Sequence, residues 1–400
     1  MNSIQELYFT NKDVNQRWSG VKDDFWGDIK KETLIAVKRL IETTMDIEVQ
    51  DLIGGGRWEH LPKRKNYRNG SYYRNLWTSF GYLTGLKIPR IRVGEINFKA
   101  FKKYQQRTNE VNKLVLGMFL AGASTRRVKE VLEPLYGKQM ISAQTVSNIS
   151  KTLNKEVEKY HKKRIKDEYV YLFFDGVYLK AKSPIHSRSR CMLVAYGIKK
   201  DGVRELINFK VARKGESQVA WECFLTSLRN AGLKGDGLKM IAIDGNKGLC
   251  NAVDIIWPEV PIQRCWAHKL RNVSKCLPWK LRGACTRQAG DIYSADNKTK
   301  AIKAFKKWSK IWKPISPKAV ECIEGNLEEL LNFYDCPKKM WIKLRTTNLI
   351  ERMFREVRRR TRPISCFTNT ESMERIIFAV FNRQNNIWRE NPLKEITQNS

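Results

Sequence analysis

The stretch YVYLFFDGVYLK, residues 169–180, reads as a buried strand interrupted by one residue of the wrong kind, Asp175. Aspartate is depleted in strands, and burying its charge without a partner costs several kcal/mol or shifts its pKa. Something must offset that cost, and a metal ion is one candidate.

Working outward, the runs RCMLVAYGIK (190–199) and VRELINFKVA (203–212) follow as two more strands with short connections. A helical pattern at 217–230, the strand LKMIAID (238–244), a helix over KGLCNAVDIIW (247–257) and a short strand PIQRCW (261–266) complete the set. Strands in a meander, then strands alternating with helices, predict an α/β architecture: a mixed sheet with helices packed on it. Residues 269–343 return to helical, Lys- and Trp-rich sequence, and NLIERMFREVRRRT opens a last amphipathic helix near Asn348. Its apolar face is Ile350, Met353, Phe354 and Val357, and Glu351 sits on a basic stripe with Arg355 and Arg358.

Upstream, residues 21–53 carry helical periodicity with Leu34, Ile35, Val37, Leu40 and Ile41 as the expected apolar stripe. From 57 to 107 the pattern becomes short aromatic and β-branched runs, with Asn69-Gly70 read as the hairpin turn. That module holds 13 Lys and Arg against two acidic residues, so it is expected to lie on phosphates. Next, Ser124 is placed to cap a helix through Val128 and Leu132, with a break near Gly137, and Ser142 to cap a second carrying Val146 and Ile149. This reads as a helix-turn-helix that contacts DNA, with plain helical packing as the alternative.

Across 400 residues the formal net charge is +34, with 42% hydrophobic and 10% aromatic residues, so a folded, multi-unit chain with a polyanionic partner is expected. No run of about 18 apolar residues is present. The start, MNSIQELYFTNKD, lacks a signal-peptide layout, and a soluble, cytoplasmic protein with no membrane partner is expected. Nine cysteines, none before Cys191 and scattered thereafter, argue for reduced thiols.

Asp244 ends its strand just before GNKGL, so a second strand also delivers a carboxylate at its carboxyl end. Magnesium takes oxygen ligands and usually rests on one or two carboxylates plus substrate phosphates. Glu351 best supplies a third acid for a two-metal clamp. Spacing alone leaves other readings open: Asp175 as a turn residue with Gly176, Asp244 as a helix cap, Glu351 as a partner of Arg355. No GxSxG elbow, HExxH helix or P-loop is present, and no use of ATP is expected. Cys265 and His268 have the spacing of half a zinc site, with packing or support of the acids as the other readings.

With these residues assembled, the chain resembles a Mutator-like DDE transposase of the kind encoded by bacterial insertion sequences. The resemblance runs over roughly residues 50–385, through YRNGSYYR, LKIPRIRVG, GASTRRVKEVLE, ISAQTVSNIS, FFDGVYLK, AIDGNKGL, QRCWAHKLRNV and RTTNLIERMFREVRRRTRPI. It implies an RNase H-like mixed sheet with flanking helices and an all-α insertion, preceded by helical and small β-rich DNA-binding modules. The corresponding divisions are 1–56 helical, 57–107 basic and β-rich, 108–165 helix-turn-helix-like, 166–268 first part of the core, 269–343 insertion, and 344–400 final core helices and tail.

The resemblance makes Asp175, Asp244 and Glu351 the catalytic, metal-holding acids, with Mg²⁺, or Mn²⁺ in its place, as cofactor. Cys265, His268 and Asn348 are implied to support them. It further implies binding of double-stranded DNA, both the element's terminal inverted repeats and target, by a homodimer at the bacterial nucleoid. Arg352, Arg355, Arg358 and Arg359 are expected on phosphates near the acids, and Arg68, Arg90, Arg92, Arg126, Arg127, Gln144 and Thr145 on the ends. Trp308 and Trp312 are open to either a partner surface or a helical core. The rival functions are a DNA-binding regulator without catalysis and a nuclease of the same fold that cuts without joining.

Overall fold

The structure, a computed structural model, describes residues 25–394 apart from 57, 60–61, 63–64, 137–140, 183–186, 213–214 and 363–366. It divides into two compact units, Met1–Ile149 and Ser150–Ser400.

In the first unit, α1 (Phe25–Ile53) buries Met45, Val49 and Ile53, one residue per turn on a single face. This differs from the expected stripe: Ile35 and Leu40 are exposed. Periodicity marked the helix, but burial follows where a hairpin covers it. That hairpin is β1 (Arg68–Thr78) and β2 (Gly81–Ile91), whose Leu76, Leu86 and Ile88 pack with Met45 and Phe101. Thr78 pairs with Gly81, so the turn is Ser79-Phe80 and not Asn69-Gly70. Asn69-Gly70 lies within β1, where the register slips between Arg68 and Ser71 and Gly70 has φ +69°. A bulge uses the same left-handed glycine that a tight turn does.

Helices α2 (Asn109–Leu120), α3 (Thr125–Tyr136) and α4 (Ala143–Ser150) follow. The side-chain oxygens of Ser124 and Ser142 accept from the amides of Arg127 and Thr145, 3.1 Å each, and so cap α3 and α4. Val128, Leu132, Val146 and Ile149 close a core around Trp77, Val111 and Val115. The expected break at Gly137 lies outside the described residues.

The second unit opens with α5 (Asn154–Lys162) and a five-stranded sheet of order β5-β4-β3-β6-β7. Its strands are β3 (Tyr169–Lys182), β4 (Ser187–Lys199), β5 (Arg204–Ala212), β6 (Met240–Ile243) and β7 (Ile262–Arg264), interrupted by α6 (Gln218–Asn230) and α7 (Lys247–Ile256). β3, β4 and β5 are antiparallel, while β6 and β7 join parallel to β3. The sheet is therefore mixed, with the meander on one side of β3 and the crossover strands on the other.

Alternation along β3 divides its side chains between two layers. Phe174 stacks on Trp257 and packs with Trp221 of α6, on the α6–α7 side. Phe173 meets Tyr196, which with Phe209 packs on Trp388 and Phe381 of a C-terminal helix.

An all-helical stretch follows: α8 (Trp266–Lys275), α9 (Trp279–Tyr293), α10 (Lys298–Trp312), α11 (Pro317–Glu324), α12 (Leu327–Leu331) and α13 (Trp341–Leu344). Trp308 and Trp312 are buried there, their indole N–H groups donating to the Cys285 carbonyl and to Gln288. They are core residues and give no support to a partner surface. α14 (Asn348–Thr361) and α15 (Thr370–Glu390) end the described fold. Ile350, Met353, Phe354 and Val357 of α14 are all buried, as their spacing predicts.

Candidate active site

β3 and β6 run parallel with Phe174 opposite Ile243. One residue further on come Asp175, within β3, and Asp244, just past the end of β6, so the register brings the two carboxylates within electrostatic reach of each other. Asp175 is 7% exposed, within continuous β3, and its Oδ1 accepts from the Gly176 amide at 2.8 Å. It is not a turn residue. Burial, and then Asp244, push its carboxyl from 3.8 up to about 8, against smaller opposing effects of His268 and the Gly176 amide. Asp244 is not the helix cap: Asn246 takes that place, accepting from the Leu249 amide, while Asp244 Oδ1 accepts from the Asn246 amide at 2.9 Å.

Glu351 lies in the first turn of α14. Its partner is Arg271 of α8, at 3.0 Å, and not Arg355. His268 Nε2 is 3.8 Å from the same carboxylate oxygen. The Cys265 thiol favours the imidazolium form of His268, with Asp175 adding to it and burial and Arg271 opposing, so the ring is held above its ordinary 6.5. His268 Nδ1 is buried and has no hydrogen-bond partner of good geometry among the described residues. His268 thus lies against Glu351 and close enough to Asp175 to feel its charge. Among the described residues, no three His, Cys, Asp or Glu side chains gather at one point within metal reach.

Cys265 holds this frame together. Its amide donates to the Ile243 carbonyl at 2.8 Å, next to Asp244, and its sulfur accepts from both the amide and the hydroxyl of Thr347 at 3.3 Å. Thr347 is the residue just before α14, and its carbonyl accepts from the amide of Glu351. Burial pushes the Cys265 thiol up, but contacts from His268 and Thr347 outweigh it and leave the thiol lower than usual. Asn348 begins α14 and is exposed.

One carboxylate in this neighbourhood escaped the sequence reading. Glu216 accepts from Trp221 Nε1 at 3.3 Å and from the Tyr178 hydroxyl at 3.4 Å, and burial followed by Asp244 raises its pKa. Gly176 makes room for it, since a Cβ there would come within 3.1 Å of the Glu216 carboxyl carbon. The local signal, Glu-Ser before a helix, announces only the Ser217 cap.

The sequence model described as "Transposase, Mutator family" matches residues 11–391. The chain belongs to the Mutator family of transposases. Among its relatives, the "Transposase for insertion sequence element ISRM5" of Rhizobium meliloti is 30% identical over 354 residues, 88% of each chain. That for IS905 of Lactococcus lactis is 32% identical over 80% of each chain, and that for IS256 in transposon Tn4001 of Staphylococcus aureus 31% over 92% of each. A solved chain of the "Drosophila P element transposase strand transfer complex" aligns over 72% of this chain and 83% of its own, at 11% identity and a TM-score of 0.31, which is too low to argue from.

In the transposase, the basic residues singled out by sequence fall into different settings. Arg352, Arg355, Arg358 and Arg359 are exposed on α14, with Arg359 paired to Glu356 at 2.9 Å. Arg68 is already engaged, 2.8 Å from Asp46 of α1, so its charge is used inside the fold. Arg90 and Arg92 are exposed and lie over the rings of Tyr72 and Tyr67. Arg126 and Arg127 are exposed at the start of α3, Gln144 bonds Asn148, and the Thr145 hydroxyl bonds that of Ser142. No helix among the described residues is long and apolar enough to cross a membrane.

Proposed function

We propose that this transposase binds the terminal inverted repeats of its element and both cuts and joins DNA strands with Asp175, Asp244 and Glu351, on a core of RNase H-like type. The observation that carries the reading is the pair Asp175–Asp244: two carboxylates that follow a parallel register pair, one of them buried with no Lys or Arg partner among the described residues. A buried carboxylate beside a second acid and without a cation is unfavourable in isolation and well suited to a hard divalent ion, whose ligands are oxygens. The donor set fits Mg²⁺, or Mn²⁺ in its place. Asp175 and Asp244 would hold it, with Glu351 as the third acid. When bound, the ion supplies Lewis acidity at the scissile phosphate and its attacking oxygen.

The chain's own groups do the rest. Arg271 and His268 engage the Glu351 carboxylate, and Cys265 with Thr347 fixes the turn from which Glu351 projects. In the first reaction, water forms a new P–O bond as the bond to the 3′-oxygen breaks, leaving a 3′-hydroxyl. In the second, that hydroxyl attacks another phosphodiester, one P–O bond forming as another breaks. Neither step needs ATP. Two ends are joined, so a homodimer on the element's two repeats and its target is part of the reading. The exposed arginines of the hairpin and of α3 are proposed to contact the repeats, and the chain to work on the bacterial nucleoid.

The test uses labelled DNA carrying the element's ends, with Mg²⁺ or Mn²⁺, comparing wild type with Asp175→Ala, Asp244→Ala and Glu351→Ala. Cut and joined products, lost in all three variants while binding persists, are expected. Cutting without joining would assign a nuclease, and binding without any product a regulator.

A further inference from the structure

The face of α14 that carries Glu351 continues as a basic stripe beyond the acid. Arg352, Arg355, Arg358 and Arg359 of α14 and Arg362 just past its end line a cleft of about 680 Å³ together with Arg204 of β5 and Trp388 of α15. Six guanidinium groups (Arg204, Arg352, Arg355, Arg358, Arg359 and Arg362) face it against a single carboxylate, Glu356. Glu356 is occupied by Arg359, and Arg352, Arg355, Arg358 and Arg362 have no acidic partner among the described residues. Like charges crowded in this way repel unless an anion lies among them.

Arg204 is built in and not merely exposed. Its guanidinium lies over the Trp388 ring at 5.3 Å, and its Nη2 donates to the Asn391 carbonyl at 2.8 Å. A guanidinium fixed in this way holds its planar fork in one orientation, the form that recognises phosphate oxygens. Sequence gave no hint of this residue, because Arg204 sits on a strand far from the basic helix and only the fold brings the two together.

We propose that this cleft is a track for the backbone of the DNA strand being processed, holding phosphates at a fixed offset from the one at the acids. The proposal rests on the function proposed above. Along α14, Arg355, Arg358 and Arg362 stand about 6, 10 and 16 Å beyond Glu351 at 1.5 Å per residue. One strand of B-DNA advances about 3.4 Å per nucleotide, so a strand following the helix would place phosphates roughly two to five nucleotides from the scissile one in the cleft. Arg204 and Trp388 form its far wall, which makes it a groove with two sides.

Two measurements test this. The first is binding of a duplex of arbitrary sequence across salt concentrations, for wild type, Arg362→Gln, Arg204→Gln and the double variant, each checked for folding by its thermal midpoint. The slope of log K against log salt is expected to fall by about 1 for each single change and about 2 for the double. Should Arg204→Gln not fold, the exposed Arg362→Gln still decides. Unchanged slopes overturn the proposal, as does inorganic phosphate at millimolar concentration reversing the effect, which would mark a small-anion site. The second places one uncharged methylphosphonate at each position of an end duplex. Loss of affinity confined to positions about two to five nucleotides from the cut supports the offset, and loss elsewhere, or none, overturns it. A wild type that cuts nothing in either metal would remove the proposed function while leaving the salt slopes to judge the cleft.

Discussion

Asp175 and Glu205 are both buried carboxylates on one sheet, 7% and 4% exposed, and their surroundings are opposite. Glu205 has Lys163 at 3.0 Å, Lys199 at 3.1 Å and the Tyr169 hydroxyl at 3.0 Å. Burial works against its charge, yet the two lysines prevail and its pKa is lowered. Among the described residues Asp175 has no Lys or Arg partner and an acid for a neighbour, and its carboxyl is pushed up to about 8. Buried acids that serve only the fold come with cations attached. On the function proposed above, the contrast separates a carboxylate that braces the sheet from one held ready for a ligand.

The largest expected effect is on chemistry. Asp175→Asn or Asp244→Asn should lower strand cleavage by roughly 10³-fold or more, since several kcal/mol of charge stabilisation is lost and each 1.4 kcal/mol is tenfold. Binding of end DNA, measured separately, should be unchanged. Glu205→Ala should do the reverse, leaving per-molecule cleavage intact and destabilising the fold by about 3 kcal/mol. Breaking a buried pair costs about 3–5 kcal/mol, and Lys163 is half in solvent, which favours the low end. Urea unfolding reads it. A Glu205 variant that is stable but inactive would falsify the division between the two acids.

These roles were unequally legible in sequence. Strand order, both serine caps and the buried face of α14 are written in local patterns of period and capping, so they could be read directly. Asp175 and Asp244 could be paired on paper because one interrupts an apolar run and the other ends one. The partner of Glu351 could not: Arg271 is on α8 and reaches it only after the helical insertion has folded. Asn69-Gly70 misled because a bulge and a turn need the same positive φ, and Ile35 and Leu40 because helical period says nothing about what covers a face. Glu216 was hidden behind the capping signal of Ser217, and Arg204 behind sequence distance.

A smaller and more diagnostic effect lies in pH. Between 3.8 and about 8 the folded Asp175 keeps a proton that the unfolded chain has released, so stability falls as pH rises through that window. Glu205, with its folded pKa below 4.5, has the opposite sign: its contribution is full above 4.5 and is lost as pH falls below it. Asp175→Asn should therefore raise the unfolding free energy by about 1–3 kcal/mol at pH 8 and change little at pH 4. Mg²⁺ should raise the thermal midpoint of the wild type at pH 8, and that of Asp175→Asn much less. A pH-independent gain from Asp175→Asn would mean that the carboxylate is not the group held against its charge.

The smallest effect concerns the link between the two halves of the acid set. Thr347→Val keeps the shape of a fully buried residue but removes the hydroxyl that donates to Cys265 sulfur, leaving the amide contact in place. Sulfur is a weak acceptor, so the loss of stability should be about 0.5–1 kcal/mol. If the contact only packs the core, cleavage per folded molecule stays at the wild-type rate. If it aims the turn that presents Glu351, the cleavage rate falls several-fold while DNA affinity holds, and Thr347→Ser, which restores the donor, recovers it. The second pattern is expected, because the Thr347 carbonyl is also hydrogen-bonded to the Glu351 amide and any tilt of that residue passes directly to the acid. An equal loss in Val and Ser variants would place the effect in packing of the methyl group and detach Cys265 from the aiming of Glu351.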